Sequence, residues 1–219
     1  FKASVFGYVN NNRLSGEPRR GLIQTDAGEF LEYDIGVSIG GPIVRDKFWY
    51  YASYNPNIER EDVEVPGFGV QKDKKTTHRF AAKLTWQPKS QTHVALNVFG
   101  DKSQHEIFEA HFANLFPAPT RLGNLDPLLG ILEDGGVNAS LNANHFFSEN
   151  LMFEGSVARV QRSNDRRPAS DFGREEFLTI DYTDGVVYSG GFGATRDLLS
   201  QRLAAKISTS WFLTDHTLK

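Results

Sequence analysis

Six histidines and a few charged clusters are the groups in this 219-residue chain best suited to chemistry. His105 and His111 bracket Glu106 and Glu109 in HEIFEAH. On a helix His105 and Glu109 would share a face, as two metal ligands must, but the spacing matches no standard zinc motif and a polar loop is the expected setting. Asp181, Asp184 and Gly185 invite a calcium reading; EF-hand spacing is absent, so a turn is expected. Ser38 before Gly40 does not form a nucleophile elbow, and no His and acid pair is tied to any Ser. Ser189-Gly190-Gly191-Phe192-Gly193 lacks the lysine and the strand-to-helix context of a phosphate loop and reads as a flexible loop tip. The glycosylation-type triplet Asn138-Ala139-Ser140 falls on an expected strand. These readings lead to a chain with no enzymatic activity, no cofactor and no metal. What remains for ligand contact is a set of loop residues: Arg19, Arg20, His105, His111, Arg166 and Arg167. The paired arginines suit lipopolysaccharide phosphates or an anionic ligand, against the plainer reading of solvated loop charge.

Composition narrows the partners. Twenty-four basic against 27 acidic residues give a formal charge of -3, without the basic excess of a nucleic-acid binder. With no cysteine there is neither a disulfide scaffold nor a Cys-based metal site. No apolar run approaches the roughly 20 residues of a membrane-spanning helix. A β-barrel stays open, because its strands alternate and need only about 10 residues each.

The elements that would carry the loop residues read as strands. Leu31, Tyr33, Ile35, Val37 and Ile39 alternate with Glu32, Asp34, Gly36 and Ser38, then Gly40-Gly41-Pro42 breaks the run before Phe48-Trp49-Tyr50-Tyr51. Period-two patterns place a first strand at 1–10, the hairpin at 31–54, and further strands at 78–86, 92–100, 137–147, 151–162 and 202–212, with a ninth beginning after Thr214-Asp215. A polar loop is expected between Glu59 and Thr76, and long irregular connections at 101–136 and 163–200. Asp126-Pro127 opens a short helix within the first of these, closed by Gly135, and Thr183-Asp184-Gly185 marks a small hairpin within the second.

The connections alternate long and short: those after strands one, three, five and seven are long, the others tight. An outer-membrane barrel sorts its connections this way, with short periplasmic turns and long extracellular loops. Phe48, Trp49, Trp86, Phe146, Phe147, Trp211 and Phe212 gather at the tight-turn ends, as an interfacial aromatic collar would. Glu32, Asp34, Lys83, Asn97, Asn138, Asn142, Asn144 and Lys206 fall on the alternate face, suited to a watery lumen. The expected fold is therefore all-β: an antiparallel up-and-down transmembrane β-barrel segment of about eight strands plus the start of a ninth, filling residues 1–219 as one partial domain in the outer membrane. Two alternatives accompany it: a β-sandwich binding or adhesion module, and a small passive eight-stranded barrel.

The hairpin from Ser38 to Tyr54, SIGGPIVRDKFWYYASY, resembles that of the TonB-dependent receptors of the Oar-like type, which carry a carboxypeptidase-regulatory-like domain ahead of the plug. Lys83-Leu84-Thr85-Trp86-Gln87-Pro88 followed by 96–101 is similar to the next hairpin of the same barrels. The resemblance covers roughly the first half of the chain; beyond Ser103 it is one of pattern. It implies the N-terminal part of the wall of a barrel of roughly 22 strands, filled by a plug and energised through TonB. The implied partners are outer-membrane lipid and lipopolysaccharide, the protein's own plug and remaining strands, and the TonB complex. Substrate identity is not implied.

Overall fold

In the computed structural model the described residues are 1–14, 29–65, 67–108, 120–193, 195–212 and 217–218. Eight long or flanking strands and a short ninth build one sheet: β1 (Lys2–Asn11), β2 (Phe30–Val44), β3 (Phe48–Val65), β4 (Gly69–Lys89), β5 (Thr92–Phe108), β7 (Leu129–Ser148), β8 (Leu151–Pro168), β11 (Arg196–Phe212) and β12 (Thr217–Leu218). They lie in chain order, each antiparallel to the next. A second, three-stranded sheet is made by β6 (Arg121–Leu122), β10 (Val187–Gly190) and β9 (Leu178–Asp181), all from the connections. Among the described residues there are also one helix, α1 (Asp171–Glu175), and a 3-10 turn at Asp126–Leu128.

Cross-strand register decides which side chains share a face, because directly paired residues point the same way and the side-chain period is two. Leu84 pairs with Tyr50 on one side and Leu96 on the other, and the row continues through Leu141, Val157 and Ala205. That face also carries Ile35, Val37, Ile39, Phe80, Val94, Val98, Val137 and Ile207, and it is uncovered: Ile35 is 52%, Leu84 38% and Ile207 74% exposed. The opposite face carries Glu32, Asp34, Lys83, Asn97, Asn138, Asn142, Asn144 and Lys206, the polar set expected of a lumen. Here side chains crowd together, and Asn57, Thr77 and Ser210 are buried. The molecule is thus inverted relative to a sandwich, with its apolar face outermost. Among the described residues no second layer covers it, so the sandwich alternative fails. β1 and β11 are not neighbours, so the sheet does not close on itself as an eight-stranded barrel.

Several strands run further than their apolar alternation. The expected polar loop at 59–76 is instead the far part of the β3–β4 hairpin, whose strands run to Val65 and from Gly69. Register sets Glu59 opposite Lys75 and Asp62 opposite Lys72, and Lys75 Nζ lies 3.3 Å from Glu59 Oε1, so charged residues sustain the ladder through cross-strand pairing. β5, β7, β8 and β11 likewise extend into stretches expected to be irregular. The helix expected after Asp126 stops after one 3-10 turn, because Leu129 adopts an extended conformation and enters β7. The aromatic collar divides: Phe48, Trp86 and Trp211 lie on the apolar face, whereas Trp49, Phe146 and Phe212 belong to the polar one by register. Adjacent residues of a strand cannot share a face.

In the intact barrel, Leu84→Arg is expected to destabilise folding into bilayers by about 2–4 kcal/mol, and Asn97→Arg by less than about 1 kcal/mol. Denaturant titration in lipid vesicles measures both; equal costs would contradict the assignment of faces.

Candidate functional site

Two neighbouring features form the candidate site: the polar face of the wall, and a cap built by the connections at the end away from the tight turns. On the polar face, hydrogen bonds run from strand to strand. Asn57 Nδ2 donates to Glu32 Oε1 at 3.0 Å, and Asn55 donates to Asp34. His105 Nε2 meets Asp73 Oδ2 at 2.7 Å, Asp101 Oδ1 accepts from the Gly136 amide at 3.0 Å, Arg162 lies 3.5 Å from Asp134, and Ser208 Oγ donates to Glu154 Oε2 at 3.1 Å. Near the tight turns a hollow of about 210 Å³ opens among His93, Asn142, Asn144, Glu154, Lys206 and Ser208, all inward-facing. Such a surface offers donors and acceptors to a hydrated partner.

The cap has a dry core of its own. Val65, Leu122, Leu128 and Tyr188 are buried together, with Phe68, Leu125, Leu178, Ile180 and Val186 packed around them. Three separate connections therefore interlock: the β3–β4 tip, the β5–β7 segment and the β8–β11 segment. Polar joints hold them. Asn124 acts as a surrogate strand residue, donating from Nδ2 to the Gly190 carbonyl at 2.8 Å and accepting at Oδ1 from the Gly190 amide at 2.8 Å. Ser170 caps α1 by accepting from the Gly173 amide and donates to Asp126. Gly190, at φ +82°, presses against the Phe177 carbonyl where a Cβ would stand 2.2 Å away, so only glycine fits. Phe192 extends from this region onto Gly130, and the Arg166 guanidinium lies 4.9 Å above its ring. Val65, Gly130 and Arg166 all belong to the inward set by register. The cap consequently leans over the inner face of the wall.

The residues singled out from sequence fall apart in space. Arg19, Arg20 and His111, together with Glu109, lie outside the described residues. His105 sits on β5, not in a loop or helix, where strand geometry turns it away from Glu106; Asp73 of β4 is its partner. Arg166 and Arg167 are on β8 and face opposite ways: Arg166 covers Phe192, and Arg167 Nη2 bonds Glu133 Oε1 at 2.5 Å on the outer face. They cannot act as one basic pair. Asp181 does form a turn, its Oδ1 accepting from the Thr183 hydroxyl at 2.6 Å and the Thr183 amide at 2.8 Å; the hydroxyl bond first and the amide second hold its carboxyl below the usual 3.8. The glycine run at 190–193 is part of the cap rather than a free tip. Burial pushes the Tyr188 phenol above its ordinary range. Sequence reasoning passed over the cap, although Leu178 and Ile180 alternate before the Thr183-Asp184-Gly185 turn and Val186 and Tyr188 after it.

No family model matches the chain, and no curated protein matches it. Among solved structures, the outer membrane transporter YddB from Escherichia coli is similar, with a TM-score of 0.62 over 84% of this chain and 13% sequence identity. The shared feature is the fold. This sheet is a segment of an antiparallel transmembrane β-barrel. The chain spans 23% of the length of YddB. Against that frame the exposed apolar face is the lipid side, the polar face the lumen, and the cap lies at the end of the long connections.

Two outcomes test the cap. Leu128, 0% exposed, anchors its core, so Leu128→Ala is expected to destabilise the cap by about 2–5 kcal/mol; hydrogen exchange should quicken across 178–190 and stay slow across 92–100. Because the Asp181 carboxyl is held low, its contribution to the turn is complete above about 3.8 and is lost only as pH falls through its lowered value. Thr183→Ala should bring that loss up into the ordinary carboxyl range, read by NMR titration of Asp181.

Proposed function

We propose that the chain is the N-terminal part of the barrel wall of a TonB-dependent outer-membrane transporter of the Oar-like type. The observation that carries this reading is an open sheet whose uncovered face is apolar and whose inner face is polar and capped. In hydrocarbon every main-chain donor and acceptor must be paired, so an apolar-faced sheet with β1 and β12 at its two edges calls for further strands and a larger closed barrel. A lumen of that size needs a plug to keep the membrane sealed, and a plug needs a source of force to move it; the SIGGPIVRDKFWYYASY hairpin supports TonB as that source.

In this role the wall supplies lipid-facing residues such as Ile35, Leu84, Leu96 and Ile207, together with a hydrated inner surface. The cap and the neighbouring connections capture a scarce or large ligand, the plug rearranges, and the ligand passes along the polar face. The partners are outer-membrane lipid and lipopolysaccharide, the plug, the remaining strands and TonB; nucleic acid is not among them. Single-channel recording in planar bilayers tests the reading: the intact protein should be closed and a plug-deleted form should conduct widely. A protein that conducts equally with and without the region preceding residue 1, or one that stays soluble without detergent, would overturn it.

A further inference from the structure

On the inner face of the long sheet the charged side chains are sorted by strand. β2 and β3 carry Glu32, Asp34, Glu59 and Glu61 there, and no lysine or arginine. β4, β5 and β7 are balanced: Asp73, Asp101 and Asp134 stand among Lys75, Arg79 and Lys83, with Arg79 directly opposite Asp101. β8 and β11 carry Arg162, Arg166, Arg196, Arg202 and Lys206 against one acid, Glu154. Lys2 of β1 completes the set. The acidic and basic arms lie about five strand spacings apart, roughly 24 Å along the wall, against a screening length of about 8 Å at physiological salt. Each arm therefore presents its own field to the lumen.

The basic arm runs against local pairing rules. Arg166 and Arg196 are directly opposite each other on the inner face, and one residue along Asp165 and Asp197 are opposite each other on the outer face. Like charges directly across a strand pair are unfavourable, yet both cations are turned to the lumen and both acids away from it. Departures of this kind gather at functional surfaces. Arg162 is opposite Gly136 and Ser200, Arg202 opposite Val160, and Lys206 opposite Ser156, so no acid faces them across the ladder. Arg162 lies 3.5 Å from Asp134, and Arg196 Nη1 donates to Asn164 Oδ1 at 3.2 Å. Arg202 and Lys206 are exposed and take part in none of the ion pairs among the described residues.

Taken in order from the cap, Arg196, Arg162, Arg202 and Lys206 are separated by steps of about 13, 7 and 13 Å along the strand pair. At a tilt near 45° the series descends roughly 23 Å, against an apolar band about 25 Å tall. Its upper end lies beside the cap, where Arg166, opposite Arg196, covers Phe192; its lower end, Lys206, lines the hollow of about 210 Å³ near the tight turns. A series of separate cations suits passage better than one deep cluster, because each holds an anion weakly enough to release it to the next. We propose that Arg196, Arg162, Arg202 and Lys206 form an anion track down the β8–β11 side of the lumen, and that the transported ligand is a multiply charged oxyanion. This rests on the transporter reading above and names the chemical class of its ligand. Guanidinium groups match carboxylate and phosphate oxygens in both charge and geometry.

The test uses the full-length protein in vesicles of uncharged lipid, with a nitroxide attached through Ser200→Cys, an inward and exposed position between Arg196 and Arg202. A trianionic chromium oxalate complex should relax the label at least about tenfold more strongly than an uncharged nickel chelate of similar size, because a cleft lined by one sign of charge concentrates counter-ions. In the triple variant Arg162→Gln/Arg196→Gln/Arg202→Gln that preference should shrink to about twofold or less. It should persist in Arg162→Lys/Arg196→Lys/Arg202→Lys. Citrate and pyrophosphate should compete with the chromium complex, whereas trimethyl citrate and spermidine should not. Equal relaxation by the two complexes, an unchanged preference in the glutamine variant, or competition by spermidine would each overturn the track. A label reached by neither complex would overturn it as well, because the plug rather than a ligand would then occupy this arm. Heat-modifiable gel migration shows whether each variant has folded. A wild-type protein that never inserts into the vesicles defeats the transporter reading itself; one that inserts and shows no anion preference defeats only the track.

Discussion

The structure depends on one constraint: a main-chain amide or carbonyl in hydrocarbon must find its partner within the protein. A sheet that exposes Ile35, Leu84 and Ile207 can meet that constraint only through an unbroken ladder, and here the register runs without a gap in strand order from β1 to β12. Because side chains alternate, the ladder that satisfies the backbone also separates two surfaces. One row, Tyr50–Leu84–Leu96–Leu141–Val157–Ala205, meets lipid, while the intervening row keeps Lys83, Asn97 and Ser140 on the other side. A slip of one residue anywhere would exchange the two environments, so the apolar band itself pins the register.

Beyond the apolar band the requirement changes, because water is again available. There the strands continue as charged ribbons, sustained by pairs such as Lys75 with Glu59 and His105 with Asp73, each of modest strength at partly exposed positions. The ribbons bring three connections close enough to share a core. Leu128 and Val65, from segments remote in sequence, become the most deeply buried side chains among the described residues. The arrangement joins a rigid wall to a small, separately packed cap over its inner face. This cap is held by a handful of buried residues and a few polar joints rather than by the long ladder.

The sequence made the wall readable because membrane strands obey a two-residue period with strong contrast: Val137, Ala139, Leu141 and Ala143 against Asn138, Ser140, Asn142 and Asn144 leave little ambiguity. Tight turns were equally readable from Gln87-Pro88-Lys89-Ser90 and Ser148-Glu149-Asn150. What escaped was the polar half of each strand, since Glu59–Val65 and Gly69–Thr76 carry no apolar alternation and are strands only through pairing with each other. The candidate site was less legible still. His105 finds Asp73, and Arg167 finds Glu133, across distances of more than thirty residues, and the core joining Leu122 to Tyr188 is a tertiary fact that no local pattern encodes. Strand geometry also separates Arg166 from Arg167, a pair that looks like one basic patch when written as text.

The most direct measurement of the wall's orientation is spin-label accessibility in lipid bilayers, taken at adjacent positions of the intact barrel. Labels at Leu84, Leu96 and Ile207 should be open to oxygen dissolved in the bilayer and shielded from a water-soluble nickel chelate. Labels at the neighbouring Lys83, Asn97 and Lys206 should lack that lipid signature. A uniform response along the strands, or shielding of Leu84, Leu96 and Ile207 from both reagents, would place the apolar face in a protein core and contradict the assignment of lipid and lumen.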